Sequence, residues 1–197
     1  MLLNKLEFDF SNSSLKKAKA RLAELLQENS LFKGNFVLAS GQQSNYYLDA
    51  RLTTLTGEGV TLASFLIWSM IQPVLNQIQG VAGPSIGADP IVSGVSMLSF
   101  LAGHPLKAGY IRKESKAHGR NKLVEGPLQR NENVIVLEDV VTTGVSSLKA
   151  VNSLRENGCI VNHLICLVLR EEVGKALLEK EGNLQVHYLF TADELLS

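Results

Sequence analysis

Residues 134–151 read VIVLEDVVTTGVSSLKAV. Four apolar residues run into two adjacent carboxylates, Glu138 and Asp139. Two valines follow, then Thr142, Thr143, Gly144, Val145, Ser146 and Ser147. Leu148, Ala150 and Val151 resume an apolar pattern at helical spacing. A short apolar run bounded by turn residues reads as a strand buried on both faces. The spacing therefore predicts a strand from Val134 ending at the acid pair, a glycine turn, and a helix opening at Ser146 to Leu148. In an open α/β sheet, ligands bind beyond the carboxyl ends of the strands. A helix N-terminus there offers unpaired N–H groups and the positive end of a dipole, which suit phosphate. Gly144 lets the backbone approach closely or take a positive φ. TTGVSS is thus a candidate phosphate cradle, and no GK[ST] or G-x-G-x-x-G pattern competes with it. Two acids beside a phosphate cradle make sense when the phosphate carries a sugar whose hydroxyls donate to the carboxylates. The alternative is an ordinary strand-to-helix turn in which Asp139 only caps.

The same rhythm extends along the chain. Strands are expected in IQGVAG, LKAGYIR, NHLICLVL and LQVHYLF. Helices are expected in DPIVSGVSMLSFLAG, with Pro90 in the first turn, in SSLKAVNSLRENG, ending at Gly158, and in EEVGKALLEKEG. Apolar strands alternating with helices give the fold class: α/β, an open, mainly parallel sheet with helices on both faces. RKESKAHGRNKLVEGPLQRN reads as a polar loop. Nearer the start, Ser14 is the expected cap of a helix through residue 27, and FVLASGQQSNYYLDAR reads as strand, Ser-Gly turn and strand. Residues 1–197 form one domain, with 1–55 as a small cap segment over one sheet edge and 56–197 as the α/β core.

Composition bounds the partners. Of 197 residues 45% are hydrophobic, and 19 Lys and Arg balance 19 Asp and Glu. Such a chain buries a sizeable core and carries no global charge for nucleic acid or a membrane surface. Residues 59–88 lack charge but contain Ser64, Gln72, Pro73 and Asn76, so a core helix, a turn and a strand are expected rather than a span. The N-terminus lacks the basic start and long apolar run of a secretory signal. Cys159 and Cys166, seven apart along an apolar run, read as reduced buried thiols, which fits the cytoplasm. Between Arg112 and Lys122 lie five basic residues and His118. Without interleaved aromatics these suit a mobile lid over a polyphosphate better than a nucleic-acid footprint.

VIVLEDVVTTGVS resembles the phosphoribosyl-diphosphate (PRPP) motif of type I phosphoribosyltransferases: an apolar strand, two acids, two apolar residues, then T-T-G and a small residue. The resemblance implies that residues Glu138, Asp139, Val140, Val141, Thr142, Thr143, Gly144, Val145 and Ser146 bind PRPP, with ribose hydroxyls on the acids and the 5-phosphate in the loop. RKESKAHG is similar to the catalytic loop of orotate phosphoribosyltransferases, which implies that Arg112, Lys113, Lys116 and His118 contact PRPP. FVLASGQQSNYYLDAR resembles the orotate-site segment of that family, and Arg170 matches its orotate-binding arginine, with Thr142 beside it. Ala39 and Gly87 stand where many or some members carry lysine. Gly83, Ser85, Ile86, Gly87 and Ala88 nevertheless have backbone amides to offer an anion.

The implied reaction joins orotate to PRPP and yields orotidine 5'-phosphate and pyrophosphate on the route to UMP. Lys116, His118 and Asp139 would be catalytic. Mg²⁺ would be held mainly through substrate and water rather than by protein ligands. The resemblance further implies a homodimer whose lid acts in trans. A phosphoribosyltransferase for another base and a non-catalytic PRPP-sensing regulator are the rivals. The orotate-like segments weigh against the first, and the missing nucleic-acid face weighs against the second.

Overall fold

The computed structural model describes residues 8–37, 43–113 and 123–197. Lys116, His118, Ala39 and the expected Ser-Gly turn lie outside the described residues. Helix α1 (Asn12–Asn29) leads to an antiparallel hairpin of β1 (Leu31–Val37) and β2 (Gln43–Leu48), then α2 (Arg51–Thr54) and α3 (Gly57–Ile71). A 3₁₀ turn, Gln72–Gln77, carries Pro73 where the α-helix stops. The alternating part follows: β3 (Gly80–Pro84), α4 (Asp89–Leu101), β4 (Lys107–Ile111), β5 (Val124–Glu125), β6 (Asn133–Val141), α5 (Val145–Glu156), β7 (Ile160–Leu169), α6 (Glu172–Lys180), β8 (Gln185–Thr191) and α7 (Ala192–Leu196).

The strand order is β5-β4-β3-β6-β7-β8. All neighbours are parallel except the short edge pair β4–β5. From β3 the chain steps outward to β4 on one side, and from β6 onward it steps to β7 and β8 on the other. The order reverses between β3 and β6, where loops leave in opposite directions and open a crevice at the strands' carboxyl ends. Helices cover both faces, as the apolar strands require. Leu22 and Leu26 of α1, Ile67 and Trp68 of α3 and Val92 and Val95 of α4 pack with Ile135 and Leu137 of β6 on one face. Val151 and Leu154 of α5 and Leu178 of α6 pack with Val136 and Cys166 on the other. The run Gly57–Gln77 is apolar and long enough to span a bilayer, at 21 residues. Its side chains Ile67, Trp68 and Ile71 are buried in the core, and it packs against α1 and α4. Cys159 and Cys166 are buried and unbridged.

Several boundaries differ from the sequence reading. The cap of α1 is Ser11, whose hydroxyl accepts from the Ser14 backbone, because Ser14 already lies one turn inside. Strand β6 does not end at the acids but runs through Val140 and Val141, and α5 begins at Val145. The polar loop contains β5, two residues too short to show a period. Helix α7 was missed although Thr191 and Glu194 form a capping box.

Candidate active site

At the reversal between β3 and β6 lies a cleft of 340 Å³. The loop after β3 gives one wall with Ser85, Ile86 and Gly87. Glu138, Asp139 and Val140 of β6 form the floor. Tyr47 of β2, Asp49 just past it and Arg51 at the start of α2 form the opposite wall, and Lys113 and Ser146 complete the lining. Residues far apart in sequence are thus gathered at the place the topology predicts.

The acid pair sits in a central strand, which burial makes costly unless partners are supplied. Glu138 is only 4% exposed, and Ser147 Oγ donates to its Oε2 at 2.6 Å from the first turn of α5. Burial pushes the Glu138 carboxyl well above the usual carboxylate range, the adjacent Asp139 charge adds to this, and the Ser147 bond opposes it. Burial raises Asp139 as well, opposed by hydrogen bonds, including the Val140 N–H at 2.9 Å, and by the charge of Arg51. A group that brings positive charge or hydroxyl donors to the pair relieves this penalty.

Beside the acids, Gly144 takes φ 76° and caps α5 with no side-chain bond. No acidic residue lies in the helix's first turn, so no acid of the helix itself offsets its positive end. A Cβ on Gly144 would stand 2.6 Å from the Gly174 carbonyl oxygen, and one on Gly174 would stand 2.2 Å from the Thr142 carbonyl oxygen. The turn is therefore pinned between β6 and α6. Val141 is buried and its carbonyl accepts from the Arg170 N–H at 2.8 Å, so it serves the sheet.

The other expected site residues divide. Lys113 borders the cleft, and Arg112, Lys113, Thr143, Val145 and Ser146 border an adjoining groove of 1050 Å³ between β4 and α5. Arg112 pairs with Glu125 across the β4–β5 edge at 3.5 Å. Thr142 and Arg170 border neither cavity. The Arg170 guanidinium stacks on the Tyr46 ring at 4.5 Å and donates to Ser44 Oγ at 3.1 Å, which ties the hairpin to the end of β7. Of the five amides expected to face an anion, Ser85 N–H is taken by Ile111 O at 2.8 Å and Ala88 N–H by Pro84 O at 3.3 Å. Asp49 and Arg51 belong to the segment that resembles the orotate site, but the sequence reading did not single them out; the signal was the D-x-R that ends that segment.

The order of the sheet, the acid pair in its central strand and the pinned turn beneath α5 define a phosphoribosyltransferase of the type I fold. A phosphoribosyltransferase from Corynebacterium diphtheriae superposes with TM-score 0.79 at 31% identity, covering 92% of this chain and 99% of that one. The orotate phosphoribosyltransferase of Mycobacterium tuberculosis in complex with PRPP gives TM-score 0.74 at 28% identity, covering 91% and 99%. Orotate phosphoribosyltransferase from Nostoc sp. is 40% identical over 178 residues, 90% of this chain and 84% of that protein. No protein-family model matches the sequence. The chain belongs to the orotate phosphoribosyltransferase family.

Proposed function

We propose that the protein transfers the ribose 5-phosphate group of PRPP to orotate, forming orotidine 5'-phosphate and pyrophosphate in pyrimidine synthesis. The observation that carries this reading is the meeting of a buried acid pair with an uncapped helix N-terminus at the switch point of the sheet. The ribose hydroxyls donate to Glu138 and Asp139, and the 5-phosphate takes the amides and hydroxyls of residues 142–146. The bond from C1 to pyrophosphate breaks with positive charge growing on the ribose ring and negative charge on the leaving oxygens. Asp139 and Glu138 lie on the side of the positive charge; Lys113, with Lys116 and His118 of the lid, meets the departing pyrophosphate. Thr142 and Arg170 orient orotate, whose planar carboxylate suits a guanidinium.

Among the described residues no group of three or more His, Cys, Asp and Glu gathers as a metal cage. The donors at the cleft are carboxyl oxygens whose ionisation burial opposes, and this fits Mg²⁺, which keeps waters and substrate phosphates as ligands. Bound together with PRPP, Mg²⁺ would supply positive charge to the departing pyrophosphate, while Glu138 and Asp139 hold the ribose side.

The working unit is a two-fold dimer in the cytoplasm, with each lid reaching the neighbour's site. Met97 and Phe100, 59% and 60% exposed and one turn apart on α4, give an apolar surface for such a contact. The unbridged thiols suit a reducing compartment. Turnover of orotate with PRPP and Mg²⁺ tests the metal role: a chelator should abolish it and added Mg²⁺ restore it. Full activity in the chelator would refute that role.

A further inference from the structure

The cleft is poor in cations for a site that must hold a diphosphate. Among its described lining residues the acids are Asp49, Glu138 and Asp139, and the bases are Arg51 and Lys113 alone. The β3–α4 loop brings no charged side chain of its own before Asp89, since it reads Pro84, Ser85, Ile86, Gly87, Ala88. A side chain added at Gly87 would first have to displace the Asp139 carboxylate. A Cβ on Gly87 would stand 2.3 Å from Asp139 Oδ2, so the room above this loop belongs to the Asp139 carboxylate. An anion on the loop therefore meets backbone there, and among the described residues the Ile86 and Gly87 amides show no hydrogen-bond acceptor. Besides Lys113, and the Lys116 and His118 already proposed to meet the pyrophosphate, the described lining offers its charge one further cation, Arg51.

Arg51 stands on the wall opposite the loop. Asp49 grips it along one edge: Nε donates to Oδ1 at 2.8 Å and Nη2 to Oδ2 at 2.7 Å. A guanidinium has five N–H donors, so two used for Asp49 leave three to point elsewhere. The grip fixes the plane of the fork, removing rotamer freedom that a free arginine would lose on binding. Asp49 is mostly covered while Arg51 keeps 42% of its side chain exposed, so the acid anchors and the base faces solvent in the cleft. Arg51 is also near enough to Asp139 to favour its ionised form. The fork thus shares the cleft with the Asp139 carboxylate and with Ser85, Ile86 and Gly87 of the β3–α4 loop.

We propose that Arg51 binds the pyrophosphate part of PRPP and of the product, with Asp49 as the residue that positions it. This rests on the PRPP reading of the cleft. The probe is inorganic pyrophosphate with Mg²⁺, titrated calorimetrically into the full-length protein, beside orotate with Mg²⁺ as the comparison ligand. Arg51→Gln should weaken pyrophosphate at least tenfold, raise KM for PRPP, and change orotate affinity less than threefold. Arg51→Lys should recover part of the loss, as a point charge without a fork. Asp49→Asn should weaken pyrophosphate less than Arg51→Gln does, because the guanidinium remains but is no longer fixed. Melting curves of each variant establish that it is folded. Pyrophosphate affinity in Arg51→Gln within threefold of wild type, or an equal loss for pyrophosphate and orotate, overturns the assignment while leaving the proposed reaction standing. Wild-type protein that turns over neither orotate nor PRPP would remove the reading on which it rests.

Discussion

Gly144→Ala tests whether the turn between β6 and α5 is as tightly held as the structure indicates. Two costs are separable. At φ 76° the backbone is left-handed, which charges a side chain about 1–2 kcal/mol. The new Cβ would also stand 2.6 Å from the Gly174 carbonyl oxygen and 3.2 Å from Gly174 Cα, both backbone atoms that cannot swing aside. Overpacking of this kind costs about 1–3 kcal/mol. The expected loss is then roughly 2–5 kcal/mol, or a fall in Tm of about 4–20 °C for a chain of this size. Scanning calorimetry reads it directly. Gly174→Ala is the control, since its Cβ presses on the Thr142 carbonyl at 2.2 Å from the other side within a helix, where no positive φ is involved. It should show the packing cost without the backbone cost. PRPP should also bind Gly144→Ala more weakly at temperatures where the variant is folded, because the same movement displaces the amides of residues 144–146. A Tm within about 2 °C of wild type, with PRPP affinity unchanged, would refute the reasoning, because it would mean that the turn relaxes freely.

Glu138→Gln should stabilise the ligand-free protein at pH 7 to 8, with the gain vanishing as pH falls toward about 4. The folded-state value of this acid is raised, so ionising it penalises the fold above the unfolded value of about 4.3 and costs nothing below it; a pH series of melting curves checks the sign. Arg170→Ala should weaken orotate by about 1.5–3 kcal/mol while leaving PRPP nearly unchanged, and steady-state constants for both substrates would reveal an equal loss if the arginine only ties down Ser44 and Tyr46. Lys116→Ala and Asp139→Asn, each nearly inactive alone, should recover about a quarter of wild-type activity when refolded together, since half the dimers are mixed and each has one intact site. Verified subunit exchange without recovery would mean that the lid serves its own chain.

The parallel core was legible because strands covered on both faces must be apolar throughout, as residues 134–137 and 164–169 are. The same rule misplaced the end of β6. Charges signal a strand end unless a tertiary partner offsets burial, and the partner is Ser147, nine residues on and across a turn. The acid pair and the glycine turn were readable because both lie in one local stretch. The D-x-R of Arg51 was visible at the end of the orotate-like segment, but its place beside the acids was not, because that depends on the hairpin folding back over the ends of β6 and β7, a placement in which the Arg170–Tyr46 stack takes part. β5 was hidden by its length, whereas the Thr191 and Glu194 spacing that starts α7 was present in the sequence and overlooked.

The choice of base is the central claim, and side-by-side rates of phosphoribosyl transfer test it most directly. With PRPP and Mg²⁺ held saturating, kcat/KM is measured for orotate, uracil, adenine and hypoxanthine, and each product is identified by mass. A site that pairs a guanidinium with the substrate carboxylate leaves that cation unpaired when the carboxylate is missing, so uracil should be the poorer substrate by a factor on the order of 10⁴. Orotidine 5'-phosphate should form readily and the purine nucleotides not at all. A purine turned over as fast as orotate, or no nucleotide from any base, would contradict the account.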